Sequence, residues 1–174
     1  ALLAQEIGSQ LVTRIEGTDP AAKLIYYSST EVSPLQRQLY SVRFDGKGKQ
    51  RLTTTTGTHA IDMAPNARYY IDRWSSTAQP RQVELWAAGG KMLRRLEDNA
   101  AVTAWLATHA YAPTDLFQFT TSDGQRLDGS MIKPPNFDPA KKYPVILAIY
   151  GGPGSQQVYD RFGSSGVDQW QAQQ

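Results

Sequence analysis

Short apolar alternations separated by glycine turns fill the first hundred residues. Period-two alternation predicts half-buried strands rather than helices. Leu11 to Glu16 and Thr58 to Met63 each predict a strand ahead of a second, aromatic one. Those second strands belong to two similar segments. Pro20-Ala-Ala-Lys-Leu24-Ile-Tyr26 aligns with Pro65-Asn-Ala-Arg-Tyr69-Tyr-Ile71 at an offset of 45. Leu39-Tyr-Ser-Val42 aligns with Val83-Glu-Leu-Trp86, and Leu52 with Leu96, both at an offset of 44. Asp45-Gly46 and Gly89-Gly90 supply tight hairpin turns at matching places. Four strands recurring at about 40–45 residues is the size of a β-propeller blade. A β-sandwich with a chance internal similarity is the alternative architecture. Tyr26, Tyr27, Tyr69, Tyr70, Trp74 and Trp86 suit half-buried strand faces and are expected to pack between blades rather than to form a substrate platform.

After Leu96 the pattern changes. Glu97 to His109 predicts a helix capped by Asp98 or Asn99, with Val102, Trp105, Leu106 and His109 on one face and Pro113 beyond its end. His109, and His59 in a strand pattern, are expected to be packing residues. Asp115 to Thr120 and Arg126 to Lys133 predict a hairpin around Ser122-Asp123-Gly124, and Pro134-Pro135 stops it. A polar connector, 136–142, leads to the continuous apolar run Val145 to Ile149, which predicts a strand covered on both faces. That run ends at Tyr150 in a Gly151-Gly152-Pro153 turn. Val167 to Trp170 predicts the start of a helix.

Composition narrows the chemistry. Eighteen basic against 16 acidic residues leave a net charge of +2, too small and too scattered to point to nucleic acid or an anionic membrane. The absence of cysteine excludes disulfides, thiolate nucleophiles and cysteine-ligated metals within these 174 residues. No apolar run approaches the roughly 20 residues of a membrane-spanning helix. A first residue other than Met, and a last residue inside a starting helix, suggest an excerpt of a longer protein.

The strand-end position of Tyr150 is where open α/β sheets bind ligands. The residues alone leave two readings: a phenol facing a ligand, or an aromatic capping the strand. Gly163-Ser-Ser-Gly166 is a near miss to the nucleophile elbow G-x-S-x-G; its second glycine falls one position early and no strand precedes it. No serine, aspartate or histidine can be assigned to a catalytic triad, so the chain by itself is expected to be inactive.

Leu96-Glu-Asp-Asn99, Lys133-Pro-Pro-Asn-Phe-Asp138, Lys142-Tyr-Pro-Val145 and Tyr150-Gly-Gly-Pro-Gly-Ser-Gln156 occur in one order. Together with Tyr26-Tyr27-Ser28, Glu31, Pro34 and Leu39-Tyr40, they resemble the dipeptidyl peptidase IV branch of the prolyl oligopeptidase family of serine peptidases. The resemblance implies a mixed fold: a partial β-propeller of about two blades (1–98), a connecting helix and linker (99–114), and the N-terminal strands of an α/β-hydrolase domain (115–174). It implies a serine exopeptidase releasing N-terminal dipeptides, with penultimate proline or alanine in the peptide substrate. It implies Tyr150 as an oxyanion-hole donor, with Gly151, Gly152 and Pro153 shaping its loop. It implies no cofactor and no metal, and a homodimer as one possible state of the parent; it favours a periplasmic or secreted location, with a cytoplasmic one as the alternative. The paired glutamates with which that family holds the substrate's amino group are not in this sequence. Other hydrolases of the same family (acylaminoacyl or tripeptidyl peptidases, esterases) and a non-catalytic propeller module are the alternatives.

Overall fold

The computed structural model describes residues 11–149, 156–164 and 166–174. Two four-stranded antiparallel sheets come first, each in simple meander order. One contains β1 (Val12–Asp19), β2 (Leu24–Ser29), β3 (Gln38–Arg43) and β4 (Gln50–Arg51). The other contains β5 (Thr58–Met63), β6 (Tyr69–Ser76), β7 (Gln79–Ala87) and β8 (Lys91–Glu97). This blade-like repetition is that of a partial propeller. The aligned segments fall on equivalent strands: Leu24 opens β2 and Tyr69 opens β6.

The sheets share one core. Tyr26 and Leu39 from the first pack with Ile61, Ala67, Tyr70 and Ala88 from the second, and Leu52 lies between them. Tyr26 and Tyr70 are buried, so these aromatics serve packing as expected. Tyr70 stacks on Trp86 at 6.2 Å, and Tyr27 on Tyr40 at 5.5 Å. Burying each large side chain of this kind contributes about 1.5–3 kcal/mol. A parallel bridge between Arg37 and Thr58 joins the sheets through the backbone, and His59 N–H donates to the Arg37 carbonyl at 2.9 Å.

Helix α1 (Ala100–Thr108) starts directly after Asn99, one of the two expected cap residues. Asn99 occupies the N-cap position in a left-handed conformation (φ 51°) and makes no side-chain cap bond. Its amide instead donates to the Arg81 carbonyl, while the Asp98 carboxylate accepts from Ala100 N–H at 2.9 Å. The predicted apolar face is not a buried one: α1 has no buried residue, and Trp105 is 54% exposed. His109 is exposed and stacks on Trp105 at 3.9 Å.

The hairpin of β9 (Thr114–Thr120) and β10 (Arg126–Ile132) forms as expected, in unbroken register. The following strand does not. Residues 143–149 carry no sheet pairing, and Val145, Ile146, Leu147 and Ile149 are 72–87% exposed. The sequence pattern required cover on both faces, whereas β9 and β10 pair only with each other among the described residues. Among the described residues the apolar run therefore has neither a ladder nor a lid, and they do not show an α/β-hydrolase sheet. Helix α2 (Gly166–Gln171) matches the predicted helix start.

Candidate functional site

Tyr150, Gly151, Gly152 and Pro153 lie outside the described residues, as does Ser165 of the near-miss motif. The chain is described up to Ile149 and again from Gln156, and the second stretch runs directly onto the two sheets.

The receiving surface begins with a turn. Pro34 follows Ser33, and Gln36 N–H closes back on the Ser33 carbonyl at 3.1 Å, a turn that proline favours by fixing φ. It presents the Pro34 carbonyl, Gln36 and Arg37 just before β3. The Arg37 guanidinium donates to the carbonyls of Pro34 (2.9 Å) and Gln36 (2.8 Å) and to Gln156 Oε1 (2.7 Å). Burial lowers the Arg37 pKa, partly offset by Tyr159, whose ring lies 5.3 Å under the guanidinium. Among the described residues its hydrogen-bond acceptors are all neutral oxygens.

Residues 156–162 complete the arrangement. Gln156 Nε2 donates to the Pro34 carbonyl at 2.8 Å and to the Val158 carbonyl at 2.7 Å. Asp160 is buried; its carboxylate accepts from Gln36 Nε2 at 3.1 Å and from Thr77 N–H at 3.0 Å. The Asp160 N–H donates to the Leu35 carbonyl at 2.9 Å. Phe162 N–H donates to Ser75 Oγ at 3.2 Å, and its ring stacks on Tyr111 at 5.9 Å. Gln169 grips Ala112 with both ends of its amide, at 2.9 and 2.7 Å. The segment is thus tied to the turn before β3 in one sheet, to the β6–β7 turn in the other, and to the linker.

His59 is unavailable as a general base. Nδ1 lies 2.7 Å from Asp72 Oδ2 and Nε2 lies 3.0 Å from the Thr55 carbonyl, with the ring stacked on Trp74 at 5.9 Å. Burial raises the Asp72 pKa, against the lowering effect of its hydrogen bond to His59. This is a structural pair inside the second sheet.

Sequence reasoning assigned no role to Gln36, Arg37, Gln156 or Asp160. Gln156 closed the Tyr150 motif, and a polar Gln36-Arg37-Gln38 run ahead of a strand was the remaining signal. The partner residues are more than a hundred positions apart, and no local pattern links them.

The fold defines the class first: consecutive propeller-like blades with an appended hairpin. Comparison with known proteins carries this to a family. Residues 6–81 match the model of the dipeptidyl peptidase IV (DPP IV) N-terminal region. The chain is 36% identical over 157 residues to the probable dipeptidyl-aminopeptidase B of Emericella nidulans, covering 88% of this chain and 17% of that protein. The protein of the same name from Aspergillus oryzae is 32% identical, with the same coverage. Among solved structures, Porphyromonas gingivalis dipeptidyl peptidase 4 superposes with a TM-score of 0.86 at 35% identity, over 94% of this chain and 23% of that one. A putative dipeptidyl aminopeptidase IV from Bacteroides ovatus gives 0.79 at 26% identity, over 95% and 24%. These likenesses support the dipeptidyl peptidase IV family. The chain spans about a sixth of the length of the curated relatives it matches.

Proposed function

We propose that this chain is the junction between propeller and catalytic domain of a serine exopeptidase that releases N-terminal dipeptides, with proline or alanine in the penultimate position. In this reading residues 1–98 are the last blades, 99–114 the connector, and 115–174 the first part of an α/β-hydrolase domain. The likeness over 94% of the chain to a solved dipeptidyl peptidase 4 is the observation that supports it most directly.

The chemistry is acyl transfer. A serine outside this chain attacks the scissile carbonyl; its Oγ–C bond forms as the carbonyl π pair moves onto oxygen, and its hydroxyl proton passes to a general base that returns it to the leaving amine. Collapse of that intermediate expels the amine, which leaves with a proton, and water then hydrolyses the acyl-enzyme. Tyr150 supplies a hydrogen bond to the oxyanion. A phenol is neutral at pH 7 and donates without a change of charge. Gly151, Gly152 and Pro153 shape the loop that carries it. The exposed apolar run 145–149 becomes an inner strand of the sheet once the rest of that domain covers it.

The test uses the complete protein encoded by the reading frame that contains this sequence. It is expected to release p-nitroaniline from Gly-Pro-p-nitroanilide, and Tyr150→Phe should lower kcat by about 10²–10³. Unchanged turnover in Tyr150→Phe rejects the oxyanion role. Cleavage of acylaminoacyl or tripeptidyl substrates but not dipeptidyl ones rejects the substrate class.

A further inference from the structure

We infer that residues 156–162 form a strap across the two sheets, with Asp160 as its clasp, so that releasing the strap from one sheet loosens its hold on the other. This coupling does not depend on the reaction proposed above.

One residue reaches both sheets. In the turn before β3, the Leu35 carbonyl accepts from Asp160 N–H at 2.9 Å, and Gln36 Nε2 donates to Asp160 Oδ2 at 3.1 Å. In the turn between β6 and β7, Thr77 N–H donates to Asp160 Oδ1 at 3.0 Å. Asp160 is 7% exposed, so water competes little for these bonds. Hydrogen bonds to a charged acceptor are stronger than neutral ones. A buried oxygen that loses its donor keeps the full cost of its desolvation. The two sheets thus hold one carboxylate between them, and moving either away orphans one of its oxygens.

The groups that meet Asp160 are themselves held in place. Gln38 is 1% exposed, and its Nε2 donates to Gln36 Oε1 at 3.2 Å, which leaves Gln36 Nε2 to face Asp160. The same Gln38 nitrogen lies 3.0 Å from the Thr55 carbonyl and 3.3 Å from the Gly57 carbonyl, in the stretch that leads into β5. The Leu35 carbonyl also accepts from Thr58 Oγ1 of β5, at 3.4 Å. Beyond Asp160 the strap continues onto the second sheet, where Phe162 N–H donates to Ser75 Oγ of β6 at 3.2 Å. Residues 156–162 contain no helix or strand. Ordering such a stretch costs conformational entropy that its docking contacts must offset, so loss of the Asp160 bonds weakens the seating of the whole strap.

The experiment is native-state hydrogen exchange, read by mass spectrometry on the complete protein in two peptides: 33–38 from the first sheet's turn and 74–80 from the second's. Asp160→Ala is expected to speed exchange in both by about 10- to 100-fold. Gln36→Ala is the decisive variant, because it alters only the first sheet yet should speed exchange in 74–80 by about 3- to 10-fold. In the double variant 74–80 should exchange within about twofold of Asp160→Ala alone, since the clasp is already open. The hairpin of β9 and β10 should keep its wild-type rate, which separates local release from general destabilisation. Wild-type exchange of 74–80 in Gln36→Ala overturns the inference. So do effects that multiply in the double variant, or an equal rise in the hairpin. If Asp160→Ala does not fold, Asp160→Asn takes its place, keeping the shape without the charge, with an expected rise of about 3- to 10-fold in both peptides. Wild-type exchange in both peptides of that variant then overturns the inference.

Discussion

Replacing His59 by phenylalanine isolates the cost of one buried carboxylate. Asp72 is 1% exposed; Oδ2 meets His59 Nδ1 at 2.7 Å, and Oδ1 has no partner among the described residues. Phenylalanine keeps the stack on Trp74 but leaves the Asp72 carboxylate without a hydrogen-bond partner among the described residues. The carboxyl then either stays charged in the core or takes up a proton. Protonating it at pH 7 from its ordinary value of 3.8 costs about 4 kcal/mol. That matches the about 3–5 kcal/mol typical of breaking a buried pair by removing one partner. The pH dependence has a definite sign. Burial already raises the Asp72 pKa, Glu84 adds to the rise, and His59 opposes it by hydrogen bond and by charge. Without His59 the folded value rises further above the unfolded one. A group raised in this way contributes most stability below its unfolded pKa and loses it as pH rises through the folded pKa. The variant should therefore regain stability on acidification from pH 7 to pH 5, by up to about 1.4 kcal/mol per pH unit. Native-state hydrogen exchange of the amides in β5 and β6, followed in the complete protein and corrected for intrinsic rates, reads this locally. Adding Asp72→Leu to His59→Phe should restore most of the loss, since replacing both members of a buried pair by apolar groups is often near neutral. Protection within about 1 kcal/mol of wild type in the single variant, or a double variant no better than the single, would refute the reasoning.

Two glycines predict costs of different size. Gly57 has φ +131°, and an added Cβ would lie 2.3 Å from the Ser75 carbonyl oxygen, so Gly57→Ala should destabilise the second sheet by more than about 2 kcal/mol, measured by the same exchange. Gly129→Ala meets only the outer edge of the partly exposed Phe117 ring, which can swing aside, and should cost less than about 1 kcal/mol. The chain produced alone should elute from a sizing column as aggregate and bind a hydrophobic dye, because residues 145–149 and Trp170 present apolar surface to water. Changing Ile146 and Ile149 to lysine should reduce both signals; a monomeric wild-type chain with a sharp, reversible melt would contradict this account.

Much of the blade architecture was legible along the chain. Strands show themselves locally, because side chains alternate between faces every second residue, and glycine turns mark where a meander reverses. The offset of 44–45 between Leu24 and Tyr69, and between Leu39 and Val83, located equivalent strands before any contact was known. The likeness of the Tyr150 motif to a peptidase family was equally a local property.

Burial and cross-chain pairing were not local. The run Val145 to Ile149 has the composition of an inner strand, but composition states only what would be favourable if neighbours were present. Whether those neighbours exist is a tertiary fact, and here the run has none among the described residues. His59 read as packing from its pattern, yet only the fold brought it to Asp72 and Thr55, where both nitrogens are engaged. The meeting of Arg37 with Gln156, and of Gln36 and Thr77 with Asp160, joins residues 83–124 positions apart. A hydrogen bond of a few ångströms leaves no periodic trace across such a separation. The sequence by itself determined strands, turns, family likeness and the tyrosine to examine. Tertiary structure alone decided which side chains are shielded, and which of them fasten the segment beyond that tyrosine to the blades.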